Sequence, residues 1–265
     1  MRPRALLALA VGLVLLLAGC GEPGKTPSRA DGPPAASAAP PRPTPTPRPS
    51  RTAPPKPKPK PQLRPLPKTL PAGLHRHSGD RGVALTFDDG PNPRWTPQIL
   101  DQLRAAHVTA TFCLVGKEAR RYPQLVARIV REGHQLCNHS WRHDMDLGRR
   151  PVADIRADLV RTNQAIRAAA PKARIAWFRQ PGGRWTAEEV AVAAQLGMRP
   201  LHWSVDPQDW DRPPAQTIIK RVESASRPGS VVLMHDAGGD RSQTMAACRT
   251  LIPDLRRRYG ISRLR

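Results

Sequence analysis

Aromatic side chains are scarce in this chain of 265 residues, with three Phe, two Tyr and six Trp. The basic residues gather in short clusters, "RRY", "GRRP" and "LRRRYG", without the aromatic interleaving that a base-stacking platform requires. Cysteine is also rare, and the four present show no CxxC metal-site spacing. Acidic residues number 21 against 43 Lys and Arg, which leaves a formal charge of +22. The apolar run near the N-terminus, Ala5 to about Leu17, falls short of the roughly 20 residues that a spanning helix needs.

The start of the chain reads "MRPRALLALAVGLVLLLAGC": two arginines, the apolar run, then small residues before Cys20. That order predicts an export signal over residues 1–20, with an uncleaved anchor helix as the alternative. The ending "LAGC" resembles the lipobox of bacterial lipoproteins. The resemblance implies that Cys20 is lipidated and holds the protein at the outer face of the cell membrane, within the cell wall, each buried CH₂ contributing about 0.8 kcal/mol. A secreted protein with an incidental cysteine is the alternative. Residues 21–75 hold 18 of the 32 prolines, including "PRPTPTPRP" and "PKPKPKP", and read as a disordered, extended linker. It carries ten Lys and Arg against two acidic residues, while residues 76–265 carry 31 against 19. Outside the cell such charge meets anionic wall polymers and lipid headgroups rather than DNA, so no nucleic-acid partner is expected.

From residue 82 onward, short β-type runs alternate with helical patterns. Strands are expected at 83–87, 109–115, 134–138, 174–178, 199–203 and 230–234, with a last one near Ile261; helices are expected at 96–106, 118–132, 151–170, 186–196, 214–226 and 241–258. Strands separated by helices imply parallel pairing with right-handed crossovers, in an open α/β sheet or a βα barrel. Both architectures gather functional groups at the carboxyl ends of the strands.

The first strand ends there in "TFDDG", two adjacent carboxylates, Asp88 and Asp89. Adjacent like charges are tolerated where a cation neutralises one and a basic group holds the other. The third strand leads into "NHSWRHDMD", in which His139 and His143 stand four apart, a spacing that puts both rings on one face of a helical turn. The position of the HExxH glutamate is Ser140, so a catalytic base must come from elsewhere. One carboxylate with two histidines suits Zn²⁺, and also the facial triad of iron oxygenases.

"TFDDG", "HSWRH", "RQPGG" (Arg179 to Gly183), "DPQDW" (Asp206 to Trp210) and "LMHD" (Leu233 to Asp236), in this order, resemble the five motifs of the polysaccharide deacetylase family, the NodB-homology or carbohydrate esterase family 4 domain. The resemblance covers about residues 82–260, and five motifs in order make it specific. It implies a distorted (β/α)₇ barrel and a hydrolase that removes acetyl groups from sugars with a divalent metal, Zn²⁺ foremost and Co²⁺ as a substitute. By it Asp88 matches the general base, Asp89, His139 and His143 the metal ligands, and His235 the general acid. Arg179 matches the residue that orients the base and Asp209 the one that tunes the acid. Trp210 and Leu233 match the apolar walls around the acetyl methyl, and Gly182 supplies the backbone N–H for the oxyanion.

Many family members carry an aromatic where this chain has Gly182, so one wall of the groove is expected to be missing. Asp236 fits the family pattern and reads equally as a turn or N-cap residue. Cys113 and Cys137 fall in neighbouring strands; free thiols are the expectation and a bridge the alternative, because adjacent-strand geometry rarely suits a disulfide. His134 and His202 read as structural, His75, His77 and His107 as solvent-facing, and Trp141 and Trp185 as packing or sugar-stacking residues. The expected substrate is an acetylated polysaccharide, first the N-acetyl sugars of peptidoglycan, with O-acetyl xylan or chitooligosaccharides as alternatives. A monomer is expected. A wall-binding lipoprotein without catalysis is the reading of a different class, and it would need a lost ligand or base.

Overall fold

The computed structural model describes residues 63–265. The expected export signal, Cys20 and the linker up to residue 62 lie outside the described residues. Six parallel strands, β1 (Ala84–Asp88), β2 (Thr111–Leu114), β3 (Gln135–Asn138), β4 (Ile175–Phe178), β5 (Arg199–Pro200) and β6 (Val231–His235), form one curled sheet in the order β5-β4-β3-β2-β1-β6. The helices α1 (Thr96–Ala105), α2 (Gly116–Arg121), α3 (Pro123–Arg131), α4 (Val152–Ala169), α5 (Ala187–Gln195), α6 (Ala215–Ala225) and α7 (Ser242–Tyr259) follow or separate the strands. The expected seven-unit barrel thus takes the form of six strands plus isolated bridges. Val205 bridges Val232 on the edge strand β6, and Ile261, expected as a last strand, makes only a bridge to Val83.

The strands read as near-continuous apolar runs because both of their faces are covered. Side chains alternate across the pleat. Leu85 and Phe87 on β1, with Val83 just before it, face the large core shared with the helices, each fully buried. Burial of such a side chain contributes about 1.5–3 kcal/mol. Ala84 belongs to the smaller core inside the curl, with Cys113, Cys137, Trp177, Leu201, Val231 and Leu264. The same phase carries Thr86 and Asp88 inward on β1, and Leu233 and His235 inward on β6, with Asp88 and His235 directly opposite in register.

Four expectations are corrected here. The single helix expected at 118–132 is two, because Pro123 has no N–H for an uninterrupted α-helix and instead opens α3 beside the Tyr122 cap. Cys113 and Cys137 form a disulfide: they are register partners on β2 and β3, both directed into the curl, with Cα atoms 4.1 Å apart. Cys248, on α7, is a buried free thiol. The folded body also starts upstream of residue 76. The Arg64 guanidinium donates to the carbonyls of Gly148 (2.8 Å) and Arg150 (2.9 Å) and pairs with Glu188, while His75 bridges Leu201. His75 is therefore partly buried, its ring edge-on to Trp177, rather than solvent-facing. His77 and His107 are exposed as expected.

Candidate active site

Asp88 closes β1, and Asp89 takes a left-handed conformation (φ 77°) that turns its side chain out of the strand direction before Gly90 and Pro91. The two carboxylates consequently meet different neighbours. Arg179, fully buried after β4, donates from a guanidinium nitrogen to Asp88 Oδ1 (2.7 Å) and from the same nitrogen to Thr86 Oγ1 (2.8 Å). Its remaining nitrogens reach the carbonyls of Leu201 and His202, so the whole fork is held before it touches Asp88.

Asp89 faces the histidines instead. Asp89 Oδ1 lies 3.5 Å from His139 Nε2 and 3.3 Å from His143 Nε2, and it has no hydrogen-bond partner although it is buried. One donor atom from each of the three residues falls within 4.8 Å of the others. Ligand atoms about 2.0–2.1 Å from a tetrahedral ion stand roughly 3.3–3.4 Å apart, so the trio fits a divalent cation. An orphaned carboxylate oxygen in the midst of two imidazoles is the donor set such an ion requires. His139 Nδ1 donates to the Arg179 carbonyl (2.7 Å), which leaves Nε2 as the nitrogen available to a cation. Burial would raise the Asp89 carboxyl, but the proximity of His139, His235 and His143 outweighs it and holds Asp89 well below the usual carboxylate range.

The histidine pair is not on a helical face, as its spacing suggested. Residues 139–146 form turns with no helix, and Ser140 (φ 61°) and His143 (φ 58°) are both left-handed. These reversals bring the two rings to 5.1 Å. The loop is pinned by Ser140 N–H on Asn138 Oδ1 and by Gln180 Nε2 on the carbonyls of Asp144 and Met145.

Across the mouth of the curl, His235 Nδ1 donates to Asp209 Oδ1 (2.7 Å), and the His235 N–H donates to Oδ2 (3.0 Å). Asp209 is buried and is further held by the Thr244 hydroxyl (2.8 Å). Burial would lower His235, yet the Asp209 charge and hydrogen bond, with Asp89 and Asp88 behind them, push it up to about 9. Asp236 points away from this dyad. It is buried, bonded to the Thr96 hydroxyl, and raised to about 7 mainly by burial.

Leu233 is buried two residues before His235 on the same face, and Trp210 projects with 49% of its surface exposed. Gly182 (φ 64°) sits on a short turn after Arg179, where a Cβ would come within 2.9 Å of the Met145 terminal methyl. Met145, which the sequence did not single out, therefore covers the spot above Gly182 where an aromatic wall is missing. Thr86, Gln180 and Thr244 were likewise missed, because one supporting hydrogen bond leaves no motif. Trp141 and Trp185 are packing residues: Arg120 and Arg161 flank the first, and the second packs edge-on against Phe178. His134 and His202 are buried and lowered to about 4 by burial, as expected of structural histidines.

A family model described as polysaccharide deacetylase matches residues 75–201. A chitooligosaccharide deacetylase of Bradyrhizobium is 43% identical over 192 residues, 68% of this chain and 87% of that protein. The crystal structure of a peptidoglycan N-acetylglucosamine deacetylase, 34% identical, superposes with a TM-score of 0.68 over 72% of this chain and 89% of its own. A pseudoenzyme of carbohydrate esterase family 4 from Bacillus anthracis, 31% identical, gives a TM-score of 0.65 over 71% of this chain and 65% of its own.

Proposed function

The chain belongs to the polysaccharide deacetylase family, a metal-dependent hydrolase acting on acetylated polysaccharides, and on that premise we propose that it removes N-acetyl groups from the amino sugars of peptidoglycan. The observation that carries the catalytic reading is the division of the two adjacent aspartates, one on a buried guanidinium and the other on two imidazoles. The fold alone guarantees no turnover, as its pseudoenzyme relative illustrates. Here the residues that the motifs match to ligands, base and acid lie together at one end of the sheet, which supports catalysis over a wall-binding protein without it.

Asp89, His139 and His143 would hold the metal, for which Zn²⁺ is our assignment given two imidazoles and one carboxylate. Such an ion supplies Lewis acidity and a water acidic enough to be deprotonated near neutral pH. Asp88, aimed by Arg179, accepts a proton from the attacking water as the carbonyl carbon is attacked. The Gly182 N–H donates to the oxyanion of the tetrahedral intermediate. His235, protonated and oriented by Asp209, gives its proton to the nitrogen as the C–N bond breaks, releasing acetate and a free amine.

The location is part of the same proposal. The export signal, the "LAGC" ending and the proline-rich linker support a lipoprotein anchored through Cys20 and working within the wall. The decisive experiment is acetate release by the metal-loaded protein from peptidoglycan, chitooligosaccharide and acetylxylan. Peptidoglycan is expected to be turned over best, and release from acetylxylan alone would overturn N-deacetylation. Detergent partitioning of the wild-type and Cys20→Ala proteins tests the anchor, which is refuted if both partition alike.

A further inference from the structure

A cleft of about 350 Å³ opens off Asp89 and His143 and runs along α2, where Lys117, Glu118, Arg121 and Tyr122 line it. That volume is in the range of small-ligand sites, and its shared wall puts whatever fills it beside the reacting group. The helix that carries the cations is tied to the loop that carries the histidines. Gly116 N–H donates to the Ser140 carbonyl and Lys117 N–H to the Trp141 carbonyl, each at 3.0 Å. A Cβ at Gly116 would come within 2.5 Å of the Trp141 ring, so only glycine permits this close approach. Lys117 and Arg121 therefore keep their places relative to His139 and His143.

The charges of this wall do not cancel. Lys117 lies 3.4 Å from Glu118, whereas Arg121 has no carboxylate partner among the described residues. The Arg121 guanidinium stands 5.2 Å from the centroid of the Tyr122 ring and makes no side-chain hydrogen bond among the described residues, so its donors can meet an incoming anion. A planar guanidinium beside an aromatic ring suits a carboxylate attached to a sugar: the fork binds two oxygens and the ring offers an apolar face to the pyranose. An exposed arginine on a convex face would be a solvated charge and nothing more. This one lines a concavity shared with two metal-ligand candidates.

We propose that this cleft is a subsite for a carboxylate-bearing sugar unit, so that the enzyme prefers N-acetylated glycans whose unit next to the reacting one is anionic. The inference rests on the deacetylase reading above and adds the feature by which the site would tell such a glycan from neutral chitin.

The test uses the metal-loaded protein and peptidoglycan glycan strands, either untreated or with their carboxylates amidated. Wild type is expected to favour untreated strands roughly five- to tenfold in kcat/KM, through KM, with the preference shrinking as salt screens exposed charges. Arg121→Gln and Lys117→Gln replace exposed side chains and should bring that ratio toward one. A ratio unchanged in both variants overturns the proposal, as does a wild-type ratio of one at low salt. Sedimentation of Asp88→Asn protein with both strand types, with and without Arg121→Gln, reads the cleft without turnover. Equal binding throughout overturns the subsite, and a preference lost with Arg121 supports it. Absence of acetate release from every strand and from chitooligosaccharide would sink the deacetylase reading instead, and the sedimentation would still decide the subsite.

Discussion

Two parts of this molecule bury carboxylates, and they do so in opposite ways. At the mouth of the curl, Asp88, Asp89 and Asp209 each lie against a cationic or imidazole group at 2.7 to 3.5 Å. At the N-terminus of α5, Glu189 is equally buried but has only its capping box, in which its carboxylate accepts from the Thr186 N–H and the Thr186 hydroxyl accepts from its own N–H. One Glu189 oxygen has no partner at all. Burial therefore pushes Glu189 up to about 8, whereas Asp89 is driven down. A buried carboxylate stays ionised where a specific positive partner offsets its desolvation, and holds its proton where only a backbone dipole is at hand. The first arrangement suits chemistry and the second suits a helix start.

The largest break in this contrast is removal of the metal. Chelation is expected to abolish acetate release and added Zn²⁺ or Co²⁺ to restore it; full activity in metal-free protein would refute the site. Asp89→Asn should act the same way by weakening metal affinity, since it removes the one anionic ligand. Asp88→Asn should leave the metal bound, measured by metal content after dialysis, while turnover falls by roughly 10² or more. Equal metal loss in both variants would show that the two aspartates do not divide the work.

His235 sharpens the comparison from the other side. With its protonated form favoured up to about 9, the rate on an N-acetyl substrate is expected to fall as pH rises through that region, because the leaving amine loses its proton donor. His235→Ala should depress turnover on an N-acetyl sugar by about 10² and on an activated acetyl ester by much less, because a good leaving group needs no proton. Equal losses on both substrates would reduce His235 to a shaping role.

Glu189 breaks the comparison away from the site, and its effect is on stability rather than turnover. The folded protein keeps this proton to about pH 8, whereas the unfolded chain releases it near 4.5. The folded state therefore binds more protons in between. The contribution of Glu189 to stability is full below about pH 4.5 and is lost, by on the order of 5 kcal/mol, as pH rises through 8. Glu189→Gln should flatten that slope in denaturant titrations at pH 5, 7 and 9. A slope unchanged by the substitution would mean that Glu189 ionises freely in the folded protein.

The candidate site residues were legible in the sequence because they stand in short motifs at strand ends. Asp88 and Asp89 close an apolar run, His139 and His143 follow another, and Arg179, Asp209 and His235 come after three more. Parallel β/α alternation then requires their convergence at one end of the sheet. The helix pattern was also readable, except where Pro123 divides one helix into two. Composition could not reveal that Arg64, inside a proline-rich stretch, docks on three partners more than 80 residues away.

Local pattern by itself pointed to the parallel α/β class and to the paired carboxylates and histidines as candidate ligands, since each depends on residue type and spacing over a few positions. Tertiary structure alone decided the rest. Register placed Cys113 opposite Cys137 and Asp88 opposite His235. Left-handed turns, rather than a helical face, brought the two imidazoles together. Close packing at Gly116 set Lys117 and Arg121 beside Asp89 and His143. Each of these is a distance between residues remote in sequence, set by how the sheet curls and how its loops pack, and no reading of neighbours along the chain contains it.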